Sequence, residues 1–491
     1  MNIKNKILIR NGEKWGIEKI FFSIWLISSI ILFYCFIYND ILETMRVGIS
    51  FWDELFNGNL TYFYGEKWNL TTIAYMKEVQ ASYDFPIYII FAIWNFPIWL
   101  FEHFGNVDVM NSIPCLMWGK TLLLVCTILI MKAIYRLCQT LGIEDNLSKL
   151  ASLLFLSSNF FVTSVIIISG YDIIALYLSI KGITYYFQKK NNKFLVCFMC
   201  AIPLKFFALL LFIPLLLLKE KRVMHIIVKC ILSVSALLFF RFIIPCRAAI
   251  GDVNSATHNL QNTLKSTEVS NLAWIYAVYY KISMVIGQIY PAIMAWLILF
   301  LVCYFIKVET EKQLKYWGIY MCFISYGILF VFCMSHPYWI LLIVPFIVII
   351  IAQNEQYLYV NIFLEMILSW GMILAQIVKT PWCFGNAVVN SMLLPLFLGR
   401  QNVFEKVTPM SIIEMFAQGD NAPNYVIGIG CTVFVAVFLL FSIINMPGRK
   451  NKLPVISKDK KAIKSLIALR TFSGIVISML PIVMYIIGLN F

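Results

Sequence analysis

Charge is scarce in this chain. Only 13% of its 491 residues are Asp, Glu, Lys or Arg, while 61% are hydrophobic. No soluble domain of this length carries that balance, so the composition excludes a water-soluble fold and implies an all-α polytopic membrane protein. Recognisable nucleotide motifs are missing too. There is no Walker loop, no GxGxxG in a strand–helix unit and no HExxH. A cytoplasmic nucleotide-binding domain is thereby excluded, and an enzyme of this build needs a donor already in the membrane. No Cys-x-x-Cys pair sits in a polar loop, which gives a zinc or redox centre little support. The thirteen cysteines lie mostly inside apolar runs, where they act as small hydrophobes. Cys246 and Cys383 both fall near expected outer ends, but nothing calls for a disulfide between them. The internal repeat that marks many transporters is also lacking.

Basic residues are what the charged minority favours, giving a net charge of +14. They sit in short loops between apolar runs, so the excess reads as the positive-inside rule and not as nucleic-acid binding. Lys4, Lys6, Arg10, Lys14 and Lys19 place a cytoplasmic N-terminus at 1–19. The first span, 20–38, lacks a small-residue cleavage site and reads as an uncleaved signal anchor. Further spans are expected near 113–131, 149–166, 172–187, 194–204, 206–218, 226–244, 288–306, 316–334, 338–352, 359–377, 425–445 and 466–488, about thirteen crossings in all. With that count every strong basic cluster falls on one side. The run 85–104 is apolar but holds Pro86, Pro97, Tyr88, Trp94 and Trp99. If it crossed, Lys132 and Arg136 would lie outside, so it reads as an interfacial helix on the outer leaflet. The organisation is therefore a transmembrane module at 20–352, with a first outer loop at 39–112, followed by C-terminal helices at 353–491 with an outer loop at 378–424. A third outer segment covers 245–287.

One residue stands out against this background. Between the basic clusters at 189–193 and 219–222 an apolar stretch runs from Phe194 to Leu218, interrupted only by Lys205. The stretch is too long for one span and short for two, because about 20 residues cross a bilayer. Two short helices with Lys205 at the turn, near the outer face, resolve the mismatch. An ammonium there is costly unless it meets an anion or snorkels to the interface. Lipid phosphates and carboxylates are the anions at that depth.

Other candidates cluster at expected outer ends. Asp53 and Glu54 form an acidic pair in the first outer loop, which also holds Asp40, Glu43, Glu66, Glu78 and Asp84. A carboxylate there can take the proton of an acceptor hydroxyl, although most loop acids are simply solvated. Asp172 follows Ser169-Gly170-Tyr171 at the turn between two spans, as a helix cap or a site residue. Asp84 precedes Pro86 in the same two capacities. Arg241 and Arg247 bracket the outer end of the next long span, where they either clamp a phosphate bidentately or anchor a helix end among headgroups. His336 and Tyr338 lie in the short turn Ser335-His-Pro-Tyr-Trp339, as phosphate donors or as interfacial-belt residues.

Taken together these features resemble the GT-C superfamily of multi-span glycosyltransferases, over roughly 20–350. The acidic pair Asp53-Glu54 is similar to that of protein O-mannosyltransferases. Asp84 with Pro86 resembles the opening of the interfacial helix in aminoarabinose and mannosyl transferases, although Phe85-Pro86 replaces the double proline. Gly170-Tyr-Asp172, and Lys205 within Ile-Pro-Leu-Lys-Phe-Phe, resemble bacterial and phosphatidylinositol-mannoside branches. The region 378–491 matches nothing in that pattern.

The resemblance implies a bundle of about thirteen helices with interfacial helices in the first outer loop. It implies transfer of a sugar from a polyprenyl-phosphate donor to a glycan, lipid or polymer acceptor of the cell envelope, at the outer face. Asp53 would be the base, with Glu54 and Asp172 beside it. Lys205, Asp84, Arg241, Arg247, His336 and Tyr338 would hold substrate. No metal or other cofactor is expected, and no nucleic-acid partner. A polysaccharide polymerase and a flippase or transporter of lipid-linked glycans are the alternatives.

Overall fold

The computed structural model describes residues 17–72, 75–244, 290–333, 336–391, 393–394, 422–448 and 460–489. Within lipid no water can satisfy backbone N–H and C=O groups, so apolar runs must close their hydrogen bonds internally. The described chain is accordingly helical apart from one hairpin. Six of the described helices are long and apolar enough to cross a membrane, and up to nine runs qualify if each of three bent pairs is one span. This is an all-α polytopic membrane protein. Thirteen full-length helices are not present among the described residues. Several apolar helices are short, among them Phe206–Lys219, Pro291–Phe305 and Pro337–Gln353.

Helix α1 (Ile17–Cys35) bends by 67° into α2 (Asn39–Phe56). A hairpin, β1 (Trp68–Thr72) and β2 (Tyr75–Val79), pairs antiparallel with Trp68 opposite Val79 and packs beside α2. The segment expected as one interfacial helix is two, α3 (Phe85–Trp94) and α4 (Phe96–Gly105), set at 67°. Pro86 and Pro97 each occupy the first turn of one helix, where the missing N–H costs nothing. Then follow α5 (Ile113–Leu141), α6 (Asp145–Leu156), the single turn α7 (Asn159–Phe161) and α8 (Asp172–Phe187). The expected split pair is α9 (Asn191–Ala201) and α10 (Leu209–Lys219), with Lys205 between them. The remaining helices are α11 (Val223–Ile243), α12 (Pro291–Phe305), α13 (Glu311–Phe332), α14 (Val344–Gln353), α15 (Leu358–Lys379), α16 (Pro381–Val389), α17 (Ala422–Ile444) and α18 (Lys460–Leu489).

Two buried polar devices and one glycine contact hold the bundle. Lys120 of α5 is fully buried and donates to the carbonyls of Phe33 and Phe36 at the α1–α2 bend, and to that of Ile166 at 3.3 Å. It satisfies acceptors that a helix end and a broken helix would leave orphaned. Arg470 of α18 and Glu365 of α15 form an ion pair at 2.8 Å with at most 1% side-chain exposure. Arg470 also donates to the Leu154 carbonyl at 2.6 Å and to Ser157, while Ser158 donates to Glu365 at 2.7 Å. The pair thus closes the break between α6 and α7. Lastly, α15 lies against α17 where Gly371 meets Gly430. A Cβ on Gly371 would sit 2.9 Å from the Gly430 carbonyl oxygen, so these backbones touch as small-residue membrane contacts do.

The turns rich in basic residues meet at one end of the bundle. Lys189 pairs with Glu311, Lys219 donates to Asn191 at 2.8 Å, and Lys221 donates to the carbonyls of Cys303 at 3.0 Å and Tyr304 at 2.7 Å. Asp172 lies at the opposite end of α8, whose 16 residues span about 24 Å.

Candidate functional site

The approach to α8 is irregular, and that irregularity places Asp172. Residues Val162–Ile167 form a π-helical stretch, an underwound form with i→i+5 hydrogen bonds that recurs at functional sites. Ser169, buried, then takes φ 56°, a left-handed conformation rare for a residue with a side chain. The Gly170 amide reaches back to the Ser164 carbonyl at 2.7 Å. A Cβ on Gly170 would lie 2.9 Å from the Cβ of Tyr338 and 3.0 Å from the Ser164 oxygen. Glycine is needed there for the 338 side chain to sit where it does.

Asp172 follows in the first turn of α8, with no side-chain cap bond, and its side chain is 3% exposed. Oδ1 lies 2.7 Å from Nζ of Lys205, while Oδ2 is buried with no hydrogen-bond partner among the described residues. Lys205 sits in extended backbone after α9 and keeps 15% side-chain exposure, so of the pair the lysine, not the carboxylate, retains accessible surface. Three aromatic rings surround it. Its Nζ is 4.7 Å from the Trp339 ring centre, 5.6 Å from Phe207 and 5.7 Å from Tyr338. Aromatic faces stabilise a cation without neutralising it.

Tyr338 links this pair to a second carboxylate. Its hydroxyl donates to Oδ2 of Asp40 at 3.0 Å, and the Tyr83 hydroxyl donates to the same oxygen at 3.1 Å. Asp40 stands in the first turn of α2, directly after the bend that Lys120 secures. His336 stacks on Tyr338 with ring centres 5.4 Å apart and meets Trp339 edge-on at 5.1 Å. Two carboxylates, one ammonium and a phenol bridge therefore share one aromatic-lined place.

Four of the residues expected from sequence are brought together here: Asp172, Lys205, His336 and Tyr338. Asp84 lies at the margin, next to Tyr83. It holds Arg241 bidentately, with Nε 2.7 Å from Oδ1 and Nη2 3.0 Å from Oδ2. The Arg241 fork is thus directed at a protein carboxylate. Arg247 lies outside the described residues, as does Cys246. Asp53 and Glu54 are elsewhere. Asp53 is thirteen residues beyond Asp40 on the same helix, about 20 Å away at 1.5 Å per residue. There it accepts from Trp99 Nε1 at 2.8 Å and lies 3.7 Å from His103 Nδ1. Burial raises the Glu54 carboxyl above its ordinary range, with the charges of Glu66 and Asp53 adding to the effect.

The residues that sequence reasoning did not place in the site are Asp40, Tyr83, Phe207 and Trp339. Asp40 had one available signal, being the first acid after the first span. Among the described residues no group of three or more His, Cys, Asp and Glu side chains is placed to hold a metal ion. Compared with protein-family models, curated proteins and solved structures, the chain matches none.

Proposed function

We propose that this protein is a membrane-embedded glycosyltransferase of the GT-C type, moving a sugar from a polyprenyl-phosphate donor to a cell-envelope glycan, lipid or polymer acceptor. The observation that carries the reading is the Lys205–Asp172 pair, a partly accessible lysine ringed by aromatic side chains with a second carboxylate, Asp40, one phenol away. A sugar–phosphate bond that breaks leaves its electron pair on the phosphate. A fixed cation stabilises that developing charge best where water is sparse. Lys205 is the group for this, and Asp172 keeps it charged and aimed until the phosphate arrives.

The acceptor hydroxyl must lose a proton as its oxygen bonds to the sugar carbon. Asp40 is the better base for a donor held at Lys205, since Asp53 stands at the far end of α2. Tyr83 and Tyr338 both donate to one Asp40 oxygen, which leaves the other for the incoming hydroxyl. Asp53, with Trp99 and His103, would serve at the outer edge of the acceptor path.

The topology belongs to the same reading: about thirteen crossings, with the N-terminus cytoplasmic and the Asp40–Lys205 cluster outside. The gathering of basic turns at the end of α8 remote from Asp172 supports it. The test is comparison of cell-envelope glycans by mass spectrometry with and without the gene, complemented by wild-type, Asp40→Asn and Lys205→Met forms. Loss of one glycan, restored by wild type and by neither variant, is expected. An unchanged glycan profile would refute the proposal.

A further inference from the structure

A second cationic site lies at the other end of the bundle. Between α5 and α8 a cavity of about 450 Å³ is lined by Lys132, Arg136 and Lys181, with Tyr177, Gln139 and Gln188 around them. Lys132 and Arg136 are one turn apart on α5, so their side chains share a face. Lys181 comes from the facing helix, α8, which packs directly on α5. No carboxylate lines the cavity. Among the described residues none of the three cations forms an ion pair. The Tyr177 ring centre lies 5.7 Å from the Lys181 Nζ.

The depth of Lys181 says what kind of anion belongs there. It precedes the end of α8 by six residues, about 9 Å along the helix axis. Gln188 marks the rim, where it donates to Thr140 at 3.4 Å. Leu129 closes the inner end, and its neighbour Ile128 is 47% exposed on the outside of the bundle. Cations at headgroup depth therefore stand directly above an apolar wall. A soluble anion has no use for that wall, whereas a lipid fits both parts, with its phosphate between the three cations and its chains along α5. Basic pockets between transmembrane helices take anionic headgroups in this way. We infer that the α5–α8 cavity binds the phosphate headgroup of an anionic phospholipid in the leaflet at the basic end of the bundle. This site is separate from the Lys205 cluster and does not depend on the glycosyltransferase reading.

The test uses the full chain purified in neutral detergent, titrated with phosphatidylglycerol or phosphatidylcholine and read by native mass spectrometry. Phosphatidylglycerol should bind at least tenfold tighter than phosphatidylcholine. Lys132→Gln with Arg136→Gln should weaken it about thirtyfold, as loss of two headgroup attractions implies. Both residues are exposed, so this variant keeps the fold, and Lys181→Gln should act in the same direction. Lys149→Gln is the control, since Lys149 at the same end is already paired with Asp145 at 2.6 Å. Millimolar inorganic phosphate should not displace the lipid. Equal retention of both lipids, unchanged binding in the double variant, or displacement by free phosphate would each overturn the inference.

Discussion

Replacing Lys205 by Met separates a phosphate-binding lysine from one that merely neutralises a buried acid. Met keeps the stem and removes the charge. Asp172 would then be left with 3% exposure and no cation. Breaking a buried pair from one side costs about 3–5 kcal/mol, because the partner charge stays buried and uncompensated. Asp172→Asn breaks the same pair from the other side, and both single variants should lose thermal stability in detergent. Their effects on the donor should be opposite. A charge-assisted contact to phosphate contributes roughly 1.5–3 kcal/mol, so Lys205→Met should weaken donor binding about 10- to 150-fold. Asp172→Asn removes the competitor for the ammonium and should hold donor affinity or raise it. The double variant, with no charge to compensate, should regain stability but not transfer. Stability is read by thermal unfolding and affinity by titration with a polyprenyl-phosphate sugar. Donor affinity within twofold of wild type in Lys205→Met, or wild-type transfer in the double variant, would show that the pair is structural only.

Asp40→Asn should slow transfer by about 10²–10⁴-fold, the usual contribution of a positioned base, while Asp53→Asn changes mainly the dependence on acceptor concentration. The reverse ranking in a radiolabelled-sugar transfer assay would return the base to Asp53. Gly170→Ala brings a methyl to within 2.9 Å of the Tyr338 Cβ and should cost about 1–3 kcal/mol by overpacking. An unfolding midpoint equal to wild type would contradict it. Arg470→Met alone should destabilise by about 3–5 kcal/mol, and adding Glu365→Leu should recover much of that, because a buried pair is often replaceable by apolar residues. A double variant no more stable than the single would show that the surrounding hydroxyls depend on the charges.

Lys205 was legible in the sequence because one ammonium interrupts an apolar run whose ends are fixed by basic clusters. Asp172 was legible from the Ser-Gly turn before it, and the short helices on either side of Lys205 follow from the length of that run. Asp40 was passed over in favour of Asp53-Glu54, since a doubled acid resembles a motif and a single one does not. What groups Asp40 with Lys205 is the 67° bend after α1. That bend is secured by Lys120, a charge whose role appears only once α5 is packed against α1. The hairpin was missed because its strands are only five residues each, and of the two only β1 alternates polar and apolar residues. The Arg470–Glu365 pair was missed for a related reason. Each residue sits alone in its helix, and only the fold makes them neighbours.

That last pair also constrains how the protein is made. Ser157 and Leu154 receive Arg470 from a helix more than three hundred residues later in the chain. At ribosomal rates of about 5–20 residues per second, the break between α6 and α7 waits roughly 15–60 s for its partner. During that interval Glu365, once inserted, is an acid in lipid with no cation beside it. Insertion and completion are thus separate events for this chain. The segment carrying Asp172 is threaded early, but its supporting layer closes only when the final helix arrives. A nascent chain cut short before α18 would span the membrane and still present an open polar seam, a mark by which membrane quality control can tell an unfinished molecule from a finished one.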